Sequence, residues 1–373
     1  MPSHLVLVGG GHAHLTLLQQ LKQLTTAGVR VTLVSPERGH DYSGMGPGML
    51  GGLYTPQQLR FDLAAFVATG AGELRLGTVN AVAPEQRQLS LSDGTQLDYD
   101  LASFNCGSYV PLGKRVAENE PRVWPVKPIA NLLRAKETVL TLKLERSMRL
   151  LVVGGGAAGL EVVGNLWRLL QREGIRGEVT LVGRLLPDMP PSLRERARVS
   201  LQQRGIILRE EERAERLEGG VCRLTAGEEL PFDVALIATG TRPLPLFRAA
   251  ELTRGSDDGL AVNEFLHHPD YPEIFGGGDC IHFLPRPLDR VGVYAVRQNP
   301  LLLNNLQATL GRGELRPFAP QQHYLQICNL GDDRGLLRRG AFAAQGRLPF
   351  WLKDRIDRRF MRRFSAPAQG ERG

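Results

Sequence analysis

Two glycine-rich turns, each set between an apolar strand and a helix, constrain this 373-residue chain more than any other feature. The first reads Leu5-Val6-Leu7-Val8-Gly9-Gly10-Gly11-His12-Ala13-His14-Leu15; helically spaced apolar residues follow to Leu24, then a strand over Val29 to Val34. The second reads Leu150-Leu151-Val152-Val153-Gly154-Gly155-Gly156-Ala157-Ala158-Gly159-Leu160-Glu161, with its helix running through Leu170 and the next strand over Glu178 to Val182. In such a unit glycine lets backbone approach a pyrophosphate, and the helix N-terminus attracts its charge. One fingerprint is weak evidence. Two in matching contexts are strong.

The downstream halves repeat too. Asp100 to Ser108 lines up with Asp233 to Thr241, with Asp and Gly seven residues apart in both. Each follows a short strand meander, punctuated by Asp93-Gly94 in one copy and Gly219-Gly220 in the other. The expected fold is therefore α/β, with two Rossmann-like dinucleotide-binding domains related by internal duplication. Apolar residues at 42% and charged residues at 23% supply a packed core. The longest apolar run, Leu150 to Leu160, is too short to span a bilayer. The N-terminus enters a strand pattern without a basic leader, which points to a cytosolic protein. Cys106, Cys222, Cys280 and Cys328 are widely scattered, so neither a CxxC pair nor a zinc spacing is present, and no metal site is expected.

These motifs, with Ile274-Phe275-Gly276-Gly277-Gly278-Asp279-Cys280, resemble the two-domain flavoproteins of the pyridine nucleotide-disulfide oxidoreductase superfamily. Within it the chain resembles the branch of type II NADH dehydrogenases and sulfide:quinone oxidoreductases. Val8 to His14, Tyr42-Ser43-Gly44-Met45-Gly46-Pro47-Gly48 and the tail Trp351 to Met361 further resemble a subfamily associated with, and often fused to, selenide, water dikinase. The resemblance implies an FAD domain over about 1–118 and 242–316. It places a nicotinamide nucleotide domain at about 119–241 inserted within it, and a C-terminal segment over 317–373.

For FAD the resemblance implicates Gly9, Gly11, His12, Ala13, Glu37, Pro47, Asn105, Gly107, Asp279 and Ala295. For NADPH or NADH it implicates Gly154, Gly156, Gly159, Arg184 and Gly240. Asp279 would accept from the ribityl hydroxyls, and the helix carrying Tyr294 to Gln298 would point its N-terminus at the flavin. Glu161, Lys127 and Gln298 are the candidate catalytic groups: Glu161 on the first turn of the second fingerprint helix, Lys127 on the crossover between domains. Tyr42, Met45 and Pro47 are candidates to line the ring or acceptor pocket, on a glycine-rich loop able to lie flat against it.

The sequence departs from the family pattern three times. His14 replaces the third glycine of the first fingerprint, so His12 and His14 either reach a ligand or pack on the first helical turn. Ser35-Pro36 stands where an acid would hold the adenosine ribose, with Glu37 two residues on. Gly183-Arg184 replaces the second such acid, which suits a 2′-phosphate and NADPH unless Arg184 is a solvated charge or the domain binds no nucleotide.

The main expected activity is electron transfer from NAD(P)H through FAD to a quinone-like acceptor, without a redox-active disulfide. Two alternatives stay open: oxidation of a sulfide- or selenide-type donor, and a flavin-bearing partner role beside selenide, water dikinase. The net charge of +7 is concentrated in the tail, where residues 351–364 read as a basic amphipathic helix with a Leu352, Ile356, Phe360, Phe364 stripe. Such a helix suits either the inner face of the cytoplasmic membrane or a groove on protein. Nucleic acid is not an expected partner.

Overall fold

The structure is a computed structural model that describes residues 3–365 except 119, 143 and 251. Strands β1 (His4–Val8), β2 (Arg30–Ser35), β3 (Glu73–Leu76) and β4 (Leu101–Phe104) lie parallel in one sheet. All five residues of β1 are buried, and Leu5 to Val8 form a continuous apolar run, as covering both faces of a parallel sheet requires. A second parallel sheet contains β5 (Val123–Pro125), β6 (Met148–Val153), β7 (Gly177–Val182), β8 (Ile207–Arg209) and β9 (Val234–Ile237). The chain then returns to the first sheet as β10 (Ile274–Gly276), parallel to β4.

The strand orders β10-β4-β1-β2-β3 and β5-β9-β6-β7-β8 share the arrangement of their last four strands, with each fingerprint strand third, and differ in the edge strand, which is the last of its sheet along the chain in the first and the first in the second. Each sheet also has its own three-stranded antiparallel meander, over 79–98 and 214–231. The α/β fold with two Rossmann-like cores is thus present, with a core cluster for each.

The two copies differ where the first lacks its third glycine. In the second, a Cβ at Gly159 would stand 1.8 Å from Gly154 O, and the helix runs unbroken over Ala157–Arg172. In the first, a 3₁₀ turn at His12–His14 leads into α1 (Leu15–Gln19), which breaks at Gln20 before resuming over Leu21–Thr26. His14 fills the gap. Its Nδ1 donates to Gly9 O at 2.6 Å and its Nε2 accepts from Ser103 Oγ at 2.9 Å, in full burial. Burial lowers its pKa to about 4, so the ring is neutral. His14 is a bracket between the end of β1 and β4, with no exposed surface.

With α2 denoting Ala157–Arg172 and α3 denoting Gly292–Thr309, the last elements are an antiparallel sheet and a helix. The sheet holds β11 (Gln326–Asn329), β12 (Gly335–Arg339) and β13 (Phe342–Gly346); α4 (Arg347–Arg363) follows. Residues 366–373, part of the basic tail, lie outside the described residues. The regular stripe expected on α4 divides: Phe364 is buried and Phe360 packs beside Tyr42, whereas Ile356 is 42% exposed. Among the described residues no helix is long and apolar enough to cross a membrane.

Candidate active site

The carboxyl ends of β1 and β4 open into a cavity of about 910 Å³ that continues to the first turn of α2 and to α4. Such ends are where open parallel sheets bind ligands. Its wall at one end is Ser35, Pro36 and Glu37. Glu37 is half-exposed and paired with Arg60 at 2.6 Å, so its carboxylate is tethered at the rim.

The floor is built around Asn105, whose Oδ1 accepts from Ala13 N at 3.1 Å and whose Nδ2 donates to Gly277 O. Gly9 has φ +86°, and a side chain there would meet Asn105 O at 2.5 Å; at Gly11 it would meet Asn105 Oδ1 at 2.0 Å. Both glycines therefore bring two loops into contact. The Ala13 amide that Asn105 satisfies belongs to the 3₁₀ turn His12–His14, which begins after Gly11. Gly107, with φ +77°, and Ala295 on α3 line the same floor.

Asp279 and Lys127 meet across the cavity. Lys127 Nζ donates to Asp279 Oδ2 at 2.5 Å and to Ser108 Oγ at 2.9 Å, and Ser108 Oγ donates to Asp279 at 2.8 Å. Burial opposes the charge of Asp279, but Lys127 and Ser108 outweigh it and hold the carboxyl below its ordinary range. Lys127 is thus an anchored counter-ion, not an exposed linker residue.

At the other end four ionisable groups from distant segments converge. Lys353 of α4 donates to Asp357 Oδ2 at 2.8 Å and to Gly44 O at 2.7 Å, and stands 4.0 Å from Glu161 Oε1. Tyr42 Oη donates to Asp357 Oδ1 at 3.0 Å, and Asn329 N donates to Glu161 Oε1 at 2.7 Å. Burial raises the pKa of Glu161, although Lys353 and the Asn329 amide pull it down. Burial likewise raises Asp357 against the pull of Lys353 and Tyr42. Lys353 resists burial because two carboxyls face one ammonium, and it stays charged. Sequence reading missed Lys353 and Asp357, because charges on a basic amphipathic helix read as its solvated face.

Above them lies an aromatic wall. The His12 ring is 5.2 Å from those of His40 and Tyr42 and 5.9 Å from Phe360, all edge-on for His12. Burial lowers His12 to a pKa of about 3 and His40 to about 4. The Nε2 of each ring has no hydrogen-bond partner among the described residues.

Other expected residues are placed differently. Gln298 is 1% exposed and absent from the cavity wall; its Oε1 accepts from Gly278 N at 2.7 Å, so it supports the Asp279 turn and is too deep to touch a reacting atom. The loop from Tyr42 to Gly52 includes a short helix, Gly46–Leu50, because Pro47 presets its first turn. Tyr42 and Pro47 line the cavity, whereas Met45 is in the core. The glycines serve packing: a side chain at Gly48 would meet the Tyr54 ring at 2.6 Å.

Gly154, Gly156, Gly159, Arg184 and Gly240 lie outside this cavity. Gly156 precedes α2 with no side-chain cap, and a Cβ there would meet nothing within 4 Å. An uncapped 16-residue helix facing open space fits a pyrophosphate. Arg184 is exposed at the carboxyl end of β7. Among the described residues no group of three metal-ligating side chains is present.

A match to the family described as Pyridine nucleotide-disulphide oxidoreductase spans residues 3–299. The chain belongs to that family. Relatives of this pyridine nucleotide-disulphide oxidoreductase include Ferroptosis suppressor protein 1 of Taeniopygia guttata, 26% identical and matched over 69% of each chain. Demethylphylloquinone reductase NdbB of Synechocystis is 27% identical over 55% of this chain and 53% of its own. In fold the oxidoreductase is similar to NDH2 of Plasmodium falciparum in complex with NADH, with a TM-score of 0.81, 13% identity and coverage of 98% and 99%. FAD and a nicotinamide nucleotide are its cofactors. The uncapped helix after Gly156 and the unpartnered Nε2 atoms of His12 and His40 fit groups of that kind.

Proposed function

We propose that this protein is an NAD(P)H dehydrogenase that passes electrons through FAD to a quinone-like acceptor. The observation that carries this reading is the Glu161–Lys353–Asp357–Tyr42 cluster, which joins the first turn of α2, the Tyr42 loop and α4 at one end of the cavity. Bound FAD would supply the two-electron relay between donor and acceptor. At the floor Asp279, held ionised by Lys127 and Ser108, orients hydroxyls of the dinucleotide. Quinone reduction consumes protons as well as electrons. The raised pKa of Glu161 and Asp357 lets their carboxyls hold a proton closer to neutral pH, and the Lys353 ammonium fixes their geometry. Ile356 and Phe360 give the same end an apolar wall suited to a flat ring. The reductase name of the Synechocystis relative supports the acceptor class.

Arg184 favours NADPH, since its guanidinium matches a 2′-phosphate and the strand-end position itself, Gly183, carries no acid to accept from a 2′-hydroxyl. An anaerobic titration of the FAD-loaded protein with NADPH and NADH, read by flavin absorbance, tests the donor half-reaction. Bleaching by NADPH before NADH is expected. Reduction by dithionite alone would overturn the reading.

A membrane-surface role for α4 has its own support. Leu348, Trp351 and Phe342 are 73%, 54% and 65% exposed, and Arg355 lies over the Trp351 ring. Leu348, Trp351 and Arg355 leave an apolar, basic patch on the element that carries the Ile356 wall of the cavity, where a lipid-soluble acceptor would enter.

A further inference from the structure

Among the described residues β11 pairs on one side only, with β12, and the register sets Asn329 opposite Gly335 and Ile327 opposite Leu337. In an antiparallel ladder, opposed pairs alternate between exchanging hydrogen bonds and exchanging none. Just past β11, Leu330 N donates to Arg334 O at 2.9 Å, which fixes the phase of that alternation. Cys328 opposite Leu336 is then the next hydrogen-bonded pair. Asn329 and Ile327 fall on the alternate positions, so their amides and carbonyls point away from β12, along the free edge. Asn329 fits this alternation: on that edge its N donates to Glu161 Oε1 at 2.7 Å, and its O accepts from Asn165 Nδ2 at 3.5 Å.

The strand and α2 run in the same sense, since Asn329 meets Glu161 and, two residues on, Gly331 O accepts from Arg168 Nη1 at 3.4 Å. Stepping back from Asn329 to Ile327, about 7 Å along the strand, therefore carries the edge past Glu161 toward the start of α2. Ala157 and Ala158 stand there, and their small side chains leave room: they line the cavity with Glu161, and Leu325, Gln326, Ile327 and Cys328 line it with them. Among the described residues no hydrogen bond reaches Ile327 N or O along this edge.

We propose that the free edge of β11 is the acceptor's hydrogen-bonding site, with the Ile327 amide donating to a carbonyl oxygen of a quinone. The proposal rests on the quinone-reductase reading and names the group that would orient the acceptor within it. Leu325 and Ile356 are exposed apolar side chains of the same cavity, so the Ile327 amide is a polar group set in an apolar wall, the arrangement that fixes the orientation of a flat ring. A backbone donor held by its sheet is already ordered before the ligand arrives, which lowers the cost of binding. It carries no charge and does not titrate, so it leaves proton supply to the Glu161 carboxyl on the same edge.

The test uses full-length, FAD-loaded protein labelled with ¹⁵N-isoleucine, the Ile327 amide signal being assigned by its loss in Ile327→Val. Ubiquinone-1, added without a reductant, should move that signal, and NADP⁺ should not. Ile327→Pro removes the donor, and proline is tolerated on an edge strand whose N–H faces away from the sheet. With NADPH as donor, Ile327→Pro should raise KM for ubiquinone-1 about 3- to 10-fold, the loss of one neutral hydrogen bond. Ferricyanide reduction, which needs no carbonyl contact, should be unchanged, and Ile327→Val should behave as wild type. An Ile327 signal unmoved by saturating ubiquinone-1 would overturn the proposal, as would one that answers to NADP⁺ instead. Wild-type protein that reduces ferricyanide but no quinone would overturn the quinone-reductase reading itself, and the proposal with it. The amide measurement stands even if Ile327→Pro does not fold.

Discussion

Lys353 reaches from α4 to within 4.0 Å of Glu161 on α2, so the C-terminal helix completes the charge balance of the site. Both side chains are largely buried, at 13% and 16% exposure, and Asp357 is more so. Replacing Lys353 with Met would leave two carboxyls facing each other without a cation. Breaking a buried pair in this way costs about 3–5 kcal/mol unless a carboxyl takes up a proton. Urea unfolding of Lys353→Met should show a loss of that order at pH 8 and a smaller loss at pH 5. An equal loss at both would show that charge balance is not what Lys353 supplies.

Glu161 is a weak acid because burial penalises its ionised form. An acid with a raised folded pKa stabilises the fold relative to its ionised state at low pH, and that advantage is lost as pH rises through the folded value. If it holds a proton for the acceptor, the oxidative half-reaction should slow over the same rise. Glu161→Gln should remove that limb of the pH profile and lower the rate by about 10²-fold or more. An unchanged profile would assign Glu161 to packing with Asn329.

Buried neutral histidines act in the opposite sense. His14 titrates at about 4 and His12 at about 3, below the ordinary 6.5, so the unfolded chain binds their protons first. Stability should fall as pH drops below about 6.5 and continue to fall to about pH 4, by at most about 1.4 kcal/mol per pH unit for each ring. His14→Ala should flatten this slope and cost about 2–4 kcal/mol at pH 7, from the cavity and the unpaired Ser103 hydroxyl. Denaturant midpoints at several pH values check both.

Arg184→Glu should reverse donor preference. Losing a charged hydrogen bond to a 2′-phosphate is worth about 1.5–3 kcal/mol, or about 10- to 100-fold in kcat/KM for NADPH. Steady-state kinetics with both donors measure the ratio. No change would return Arg184 to the solvent.

The exposed tail residues make a separate prediction. The double variant Leu348→Ser and Trp351→Ser should lose binding to anionic liposomes while keeping its flavin, because neither side chain is buried against the core. Co-sedimentation reads the binding. Wild-type protein that stays in the supernatant would sink the membrane reading.

The duplicated fold and the two nucleotide turns were legible in the chain because they depend on local patterns: apolar runs for buried parallel strands, glycines where backbones must touch. The family resemblance also pointed to Asp279, Asn105 and Glu161, and all three line the cavity. The remaining features come from contacts between distant segments. Packing alone shows that His14 spans Gly9 and Ser103 and that Gln298 faces away from the cavity. Lys353 and Asp357 were illegible for the same reason: a charge on a helix is solvated or buried according to what docks against it, and here Tyr42 and Glu161 come from other parts of the chain.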